Sequence, residues 1–195
     1  MAVDAQARTG RESASGDDQD GGRGARGRRP DTADRARRVH LMLQGWRIVK
    51  ARLAAIAFTG EGPRLAGGRW NSRGTRVVYL GSSASLALLE VLVHLEWEDV
   101  LSAYCLFSVS FDESLLSTVE VEGLPSGWAS GAPLVETRLI GDQWVRDGRS
   151  TLLEVPSAIV PHETNYLLNP EHPDFAKITI GPPVPFPIDE RLLKG

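Results

Sequence analysis

The chain has 195 residues, 22 basic and 25 acidic side chains and a single cysteine, Cys105. It contains no apolar run of about 18 residues, no apolar start typical of a secretory signal and no Cys/His array that would fit a zinc site. These features exclude a membrane span, an internal disulfide and a zinc site, and they predict a soluble, cytosolic protein.

The first 40 residues differ in composition from the rest of the chain. They lack Leu, Ile, Phe, Trp and Tyr, and they hold nine Arg against seven acidic residues. Such a segment has too little apolar surface to offset the entropy of ordering its backbone. We therefore predict a disordered tail over 1–40, with no part in catalysis, followed by one folded domain over 41–195.

The charge of the folded part is concentrated at its beginning. Residues 47–76 carry seven basic side chains against one acid, Glu61, whereas residues 77–195 carry six basic and 17 acidic side chains. A local excess of Arg on an otherwise acidic domain indicates a site for one compact anion rather than a broad nucleic-acid surface. A solvated basic loop is the alternative.

The predicted elements begin with a short strand and a short helix within 45–58. Residues 58–68 then contain four Gly and one Pro, a composition that argues against a regular helix and favours a loop whose backbone N–H groups can approach a ligand. The β-branched and aromatic run at 77–80 predicts a buried strand.

A helix over 84–96, capped by Ser82 or Ser83, is predicted to be buried because apolar residues occupy nearly every face. Glu90 interrupts this apolar helix, and burial of a carboxylate is unfavourable unless it has a partner. His94 is the only polar side chain one helical turn away. Glu90 is thus either a carboxylate at the wall of a cleft or a solvated residue on an open helix face.

The remaining pattern mixes helix and strands and predicts an α+β domain with a largely antiparallel sheet. We expect a loop over the Gly/Pro/Ser-rich residues 123–133 and another over 166–175. An amphipathic helix is expected over 134–146. Strands or strand pieces are expected at 103–111, 152–156, 158–160 and 176–180, a short strand or turn at 115–121, and an extended segment at 182–187.

Several separated motifs resemble one known family. They are Gly67-Gly68-Arg69-Trp70-Asn71, Val77-Val78-Tyr79, the run from Ser83 to Glu90, and Asn165-Tyr166 followed by Asn169-Pro170. In this order they resemble the RES-domain toxins of bacterial toxin–antitoxin pairs, over about residues 46–180.

The resemblance implies a fold like that of the ADP-ribosyltransferases and a toxin of a type II toxin–antitoxin pair. It implies NAD as substrate and no metal: the enzyme would cleave the nicotinamide–ribose bond by phosphorolysis or hydrolysis, or transfer ADP-ribose to a host protein. It also implies a helix-turn-helix antitoxin of the Xre type that covers the active site.

The resemblance further implies a role for each matching residue. The family Arg corresponds to Arg47, with Arg52 as an alternative; the family Glu corresponds to Glu90, and the family Ser to Ser157. Arg47 and Arg69 would bind the pyrophosphate of NAD, and Glu90 would stabilise positive charge on the ribose. Tyr79 would stack on the nicotinamide or ribose, and Ser157 and Asn165 would hydrogen-bond the nicotinamide amide or the ribose hydroxyls.

Two functions without catalysis are also compatible with the sequence. In the first, the domain binds NAD without cleaving it; in the second, it mediates protein interactions while its Arg-rich tail binds nucleic acid.

Overall fold

A computed structural model of the chain describes residues 41–95 and 103–193. The predicted α+β class is confirmed: strands of one curled, mostly antiparallel sheet are accompanied by few helices. The strands are Met42–Lys50 (β1), Val78–Gly81 (β2), Tyr104–Asp112 (β3), Leu116–Thr118 (β4), Leu152–Pro156 (β5), Thr164–Leu168 (β6), Thr179–Ile180 (β7) and Val184–Phe186 (β8). The α-helices are Glu61–Ala66 (α1), Ala84–Leu92 (α2) and Val135–Asp147 (α3).

The sheet runs in the order β4-β5-β6-β2-β1-β3-β7, with β8 also paired to β3. Alternate residues of β3 are buried, as expected for a strand with one face on the core. All pairings are antiparallel except that of β4 with β5. Strand β1 pairs with β3 at nine positions but with β2 at one, Trp46 opposite Gly81. The sheet is therefore weakly joined between β1 and β2.

Helix α2 is shorter and less buried than the sequence predicts. Ser83 is the N-cap, and its Oγ accepts a hydrogen bond from the Leu86 amide at 3.0 Å. The helix ends at Leu92, and the predicted end at residue 96 lies outside the described residues. Only one face of the helix packs on the sheet, and the opposite face is exposed to solvent, with Leu89 39% and Val93 57% exposed.

The expectation that residues 58–68 exclude a regular helix is wrong. Helix α1 spans Glu61–Ala66 within this segment. Two glycines lie outside the helix and supply its ends, since Gly60 and Gly67 both adopt positive φ angles. Pro63 lies in the first turn of the helix, where backbone N–H groups have no acceptor within the helix, so the N–H that proline lacks is not needed.

Three further boundaries differ from the prediction. Strand β6, Thr164–Leu168, occupies part of the expected loop 166–175 and is flanked by β5 and β2 in the middle of the sheet. The expected strand piece at 158–160 is a bend, and the last expected strand shortens to Thr179–Ile180 behind a 3-10 turn at Pro173–Lys177. Helix α3 and strand β3 lie within one residue of their predicted positions. Within the described residues, no helix is both long enough and apolar enough to cross a membrane.

Candidate active site

A cavity of about 780 Å³ opens where β1 and β2 are weakly joined. Its walls are the middle of β1, the end of β2, helix α2, the loop between α1 and β2, and the start of α3. Volumes of this order are typical of small-molecule sites. The lining includes Arg47, Arg69, Tyr79, Glu90 and Asn165 of the predicted site, together with Trp46, His94 and Arg138.

Glu90 and Asn165 are brought into contact by paired positions on three neighbouring strands and by the helix that packs on them. Trp46, Gly81 and Asn165 are opposite one another on β1, β2 and β6. Helix α2 rests directly on Gly81, where an added Cβ would lie 2.7 Å from the Ala87 amide nitrogen. Since Glu90 follows Ala87 by three residues, it faces the same way, and its Oε1 accepts a hydrogen bond from Asn165 Nδ2 at 2.7 Å.

The partner of Glu90 is therefore Asn165 and not His94, which the helical spacing suggested. His94 is exposed and lines the cavity separately. The Oδ1 atom of Asn165 is buried and has no hydrogen-bond partner among the described residues. An unpaired buried acceptor of this kind is unfavourable by about 1–3 kcal/mol. A donor supplied by a bound molecule would offset that cost.

Arg47 links the two weakly joined strands. Its Nη1 donates a hydrogen bond to the Tyr79 carbonyl oxygen at 2.8 Å, beyond the single paired position of β1 and β2. Burial lowers the pKa of Arg47 to about 10, so the guanidinium is still positive at neutral pH. Its Nε is buried without a hydrogen-bond partner, and no carboxylate of the described residues forms an ion pair with it. This unneutralised charge makes the cavity attractive to an anion.

Tyr79 is held at its hydroxyl by the loop that follows α1. The hydroxyl donates to Asn71 Oδ1 at 2.8 Å and accepts from the Trp70 amide at 3.1 Å. Burial raises the pKa of Tyr79 far above its usual value, so the phenol stays protonated. A Cβ at Gly68 would lie 2.4 Å from this hydroxyl, which explains why that position needs glycine. The phenol ring is thus fixed at the cavity wall.

Arg69 lines the cavity, but part of its guanidinium is already used. Its Nη1 and Nη2 donate to the carbonyl oxygens of Trp128 and Gly131, the latter at 3.1 Å. The adjacent Trp70 ring packs on Trp128, with the ring centroids 5.8 Å apart. Arg69 therefore ties the Gly/Pro/Ser-rich loop 123–133 to the cavity edge.

Ser157 is the one predicted site residue that does not line the cavity. It is buried between two lining residues, Pro156 and Ala158, and its Oγ accepts hydrogen bonds from the amides of Ile159 and Val160, both at 3.1 Å. The hydroxyl oxygen thus holds the turn that follows β5. Two residues of that turn, Ala158 and Ile159, line the cavity.

Arg138 is a lining residue that the sequence analysis missed. It lies on α3, and its Nε donates to the Gly68 carbonyl oxygen at 3.1 Å. The spacing of Arg138, Gly141 and Asp142 could have indicated this residue, because the three lie on one face of an amphipathic helix. A glycine and an acidic residue on the inner face of such a helix are typical of close contact with a neighbouring polar segment.

The basic segment 47–76 does not form one continuous anion site. Of its seven basic residues, only Arg47 and Arg69 line the cavity, and Arg52 is exposed elsewhere. Arg64 and Arg76 both form ion pairs with Glu61. Within the described ranges, no group of three or more His, Cys, Asp or Glu side chains is placed to hold a metal ion.

Comparison with known proteins relates this site to one family. A family model described as RES domain matches residues 44–189. A protein named Toxin Res from Photorhabdus laumondii is 39% identical over 151 residues, covering 77% of this chain and 97% of that protein. A protein named Prs ADP-ribosylating toxin from Sphingobium sp. is 40% identical over 134 residues, covering 66% of this chain and 83% of its own.

A solved structure shares the fold. It is the crystal structure of the M. tuberculosis MbcT-MbcA toxin-antitoxin complex, with a TM-score of 0.62 at 19% identity, covering 75% of this chain and 85% of the matched chain.

Proposed function

The chain belongs to the RES domain family, and on that premise we propose that it is the toxin of a type II toxin–antitoxin pair that cleaves the nicotinamide–ribose bond of NAD. The observation that carries this proposal is the cavity, which gathers Arg47, Tyr79, Glu90 and Asn165 from four separate elements.

The residues present suit a dinucleotide substrate. Among the described residues, the guanidinium groups of Arg47, Arg69 and Arg138 line the cavity against one carboxylate, that of Glu90, so this lining favours a ligand with negative charge. The unpaired Arg47 Nε and Asn165 Oδ1 are a donor and an acceptor at its wall. A ligand with a pyrophosphate, sugar hydroxyls and an amide offers partners for both.

Glu90 is proposed to act on the reacting ribose. Breaking the bond between nicotinamide and C1 of the ribose leaves positive charge on the sugar ring, as in glycoside hydrolysis. A carboxylate fixed beside that carbon stabilises the charge as it develops. The hydrogen bond from Asn165 holds the Glu90 carboxylate in one orientation, so little reorganisation is needed during the reaction.

The acceptor completes the reaction by forming a bond to the same ribose carbon. With inorganic phosphate the products are nicotinamide and ADP-ribose 1-phosphate, and with water they are nicotinamide, ADP-ribose and a proton. Transfer of ADP-ribose to a host protein is a second candidate, favoured by the similarity to the relative named Prs ADP-ribosylating toxin.

We also propose a partner, a helix-turn-helix antitoxin of the Xre type that covers the cavity. The solved structure with the same fold is a toxin–antitoxin complex. Val93, which lines the cavity, and Leu89 on the same helix expose apolar surface beside it. Exposed apolar surface next to a charged cavity is typical of a protein contact.

The proposed reaction is tested by incubating the purified protein with NAD and following nicotinamide by chromatography. Three arms are required: buffer alone, inorganic phosphate, and a cell extract as the source of protein acceptors. Mass spectrometry of the second product separates phosphorolysis, hydrolysis and protein modification. Absence of nicotinamide release in all three arms would contradict the enzyme and leave an NAD-binding or protein-interaction module.

A further inference from the structure

We infer that Arg138 binds a phosphate group of the substrate through the two terminal nitrogens of its guanidinium. This inference rests on the proposed function for the class of ligand, and it assigns to α3 a binding role that none of the sequence motifs indicates.

Helix α3 is rigidly attached to the loop at 67–72. A Cβ at Gly141 would lie 1.8 Å from the Trp70 carbonyl oxygen, so helix and loop touch backbone to backbone. One residue later, Asp142 Oδ1 accepts a hydrogen bond from the Ser72 amide at 2.9 Å. Arg138 precedes these contacts by one helical turn and lies on the same helix face.

The Arg138 guanidinium is anchored at one nitrogen. Its Nε donates a hydrogen bond to the Gly68 carbonyl oxygen at 3.1 Å. Among the described residues, neither terminal nitrogen of Arg138 has a hydrogen-bond or ion-pair partner, although the side chain lines the cavity. A guanidinium anchored at Nε with its outer fork open has the geometry for bidentate binding of a phosphate or carboxylate.

The other two arginines that line the cavity already donate hydrogen bonds from their terminal nitrogens. Arg69 already donates from both terminal nitrogens to the carbonyl oxygens of the 123–133 loop. Arg47 donates from Nη1 to the Tyr79 carbonyl oxygen. Arg138 is therefore the arginine whose whole fork is available, and we assign to it the phosphate contact that the motif at 67–71 suggested for Arg69.

The test measures binding rather than turnover, by calorimetry on the full chain with inorganic pyrophosphate, ADP-ribose and phosphate-free nicotinamide riboside as probes. Arg138→Gln is the informative variant, since glutamine places an N–H donor where Arg Nε was and removes the outer fork. Arg138→Lys keeps the charge without the fork. The matched control is Arg146→Gln, because Arg146 lies on the same helix and hydrogen-bonds the exposed Gln143 away from the cavity.

We expect Arg138→Gln to weaken binding of ADP-ribose and pyrophosphate by about 10- to 100-fold, with Arg138→Lys intermediate and Arg146→Gln unchanged. Binding of nicotinamide riboside should not depend on Arg138. If both Arg138 variants keep their melting temperature and bind ADP-ribose and pyrophosphate as the unaltered protein does, the inference is wrong while the proposed function stands.

The remaining outcomes separate the inference from the proposed function. An unaltered protein that binds pyrophosphate through Arg138, yet neither binds ADP-ribose nor releases nicotinamide from NAD, would support the phosphate contact and contradict the proposed substrate. An unaltered protein that binds neither pyrophosphate nor ADP-ribose would contradict both.

Discussion

Asn165 Nδ2 donates a hydrogen bond to Glu90 Oε1 at 2.7 Å, joining strand β6 to helix α2 across 75 residues of sequence. The contact explains how a carboxylate is accommodated on an otherwise apolar helix. The described residues provide no hydrogen bond to the second carboxylate oxygen of Glu90, a residue that lines the cavity.

Replacing Glu90 by Gln should lower the rate of nicotinamide release from NAD by at least about 100-fold, because the amide cannot stabilise the positive charge on the ribose. The side-chain oxygen of the introduced glutamine would still accept from Asn165, so the melting temperature should change little. Glu136→Gln, an exposed substitution on α3, is the control and should keep full activity. A Glu90→Gln protein with near-normal turnover would limit Glu90 to a structural role.

Gly141→Ala should destabilise the protein by about 3 kcal/mol or more, because the new methyl group would collide with the Trp70 carbonyl and neither backbone can yield cheaply. Urea unfolding followed by circular dichroism measures the change. Gly123→Ala is the matched control, since a Cβ there meets nothing within 4 Å, and it should shift stability by no more than about 0.5 kcal/mol. Equal midpoints for the two variants would show that α3 does not dock on Trp70 in this way.

Ionisation of Asp142 should make the free energy of unfolding depend on pH. Burial raises the pKa of Asp142, but hydrogen bonds from Ser72 and Thr75 lower it by more, so the net pKa lies below the ordinary value. A carboxyl group whose pKa is lower in the folded protein than in the unfolded chain stabilises the fold at pH values above its unfolded pKa of about 3.9. This contribution is lost as the pH falls through the pKa of the folded protein.

The measurement compares the free energy of unfolding of the unaltered protein and Asp142→Asn between pH 7 and pH 3. At pH 7 the variant should be less stable by about 1 kcal/mol, and the difference should shrink below about pH 4. Asp147→Asn, at an exposed ion pair with Arg149, should show a smaller difference. If the difference in free energy of unfolding between Asp142→Asn and the unaltered protein were the same at all pH values, ionisation of Asp142 would be excluded as the cause of that difference.

Arg69→Lys should loosen the loop at 123–133, because a single ammonium group cannot bond both the Trp128 and Gly131 carbonyls in the geometry of the guanidinium. Hydrogen exchange at the amides of Trp128 and Ser130, which donate within this loop, should accelerate about tenfold. Arg73→Lys is the control, since Arg73 donates to the Ala66 carbonyl instead. Unchanged exchange in Arg69→Lys would show that other contacts hold the loop.

The elements with strong local patterns were predictable from the sequence. Strand β3 alternates buried and partly buried residues, and α3 has an amphipathic stripe between Pro133 and Gly148, so each pattern fixes its own element. The motifs at 67–71 and 83–90, and the one that starts at Asn165, indicated the family before any contact was known. The resemblance to that family also named Arg47, Arg69, Tyr79, Glu90 and Asn165, which the structure brings to one cavity.

The sequence by itself thus determined the fold class, the family and the residue types of the site. Only the tertiary structure decided which partners those residues have: Asn165 rather than His94 beside Glu90, loop carbonyls on Arg69, and backbone amides on Ser157. It also added Arg138, whose place depends on the contact of Gly141 with Trp70, 71 positions earlier in the chain. Local patterns report which face of an element is buried, whereas contacts between distant segments depend on how those faces pack together, and no local pattern encodes that.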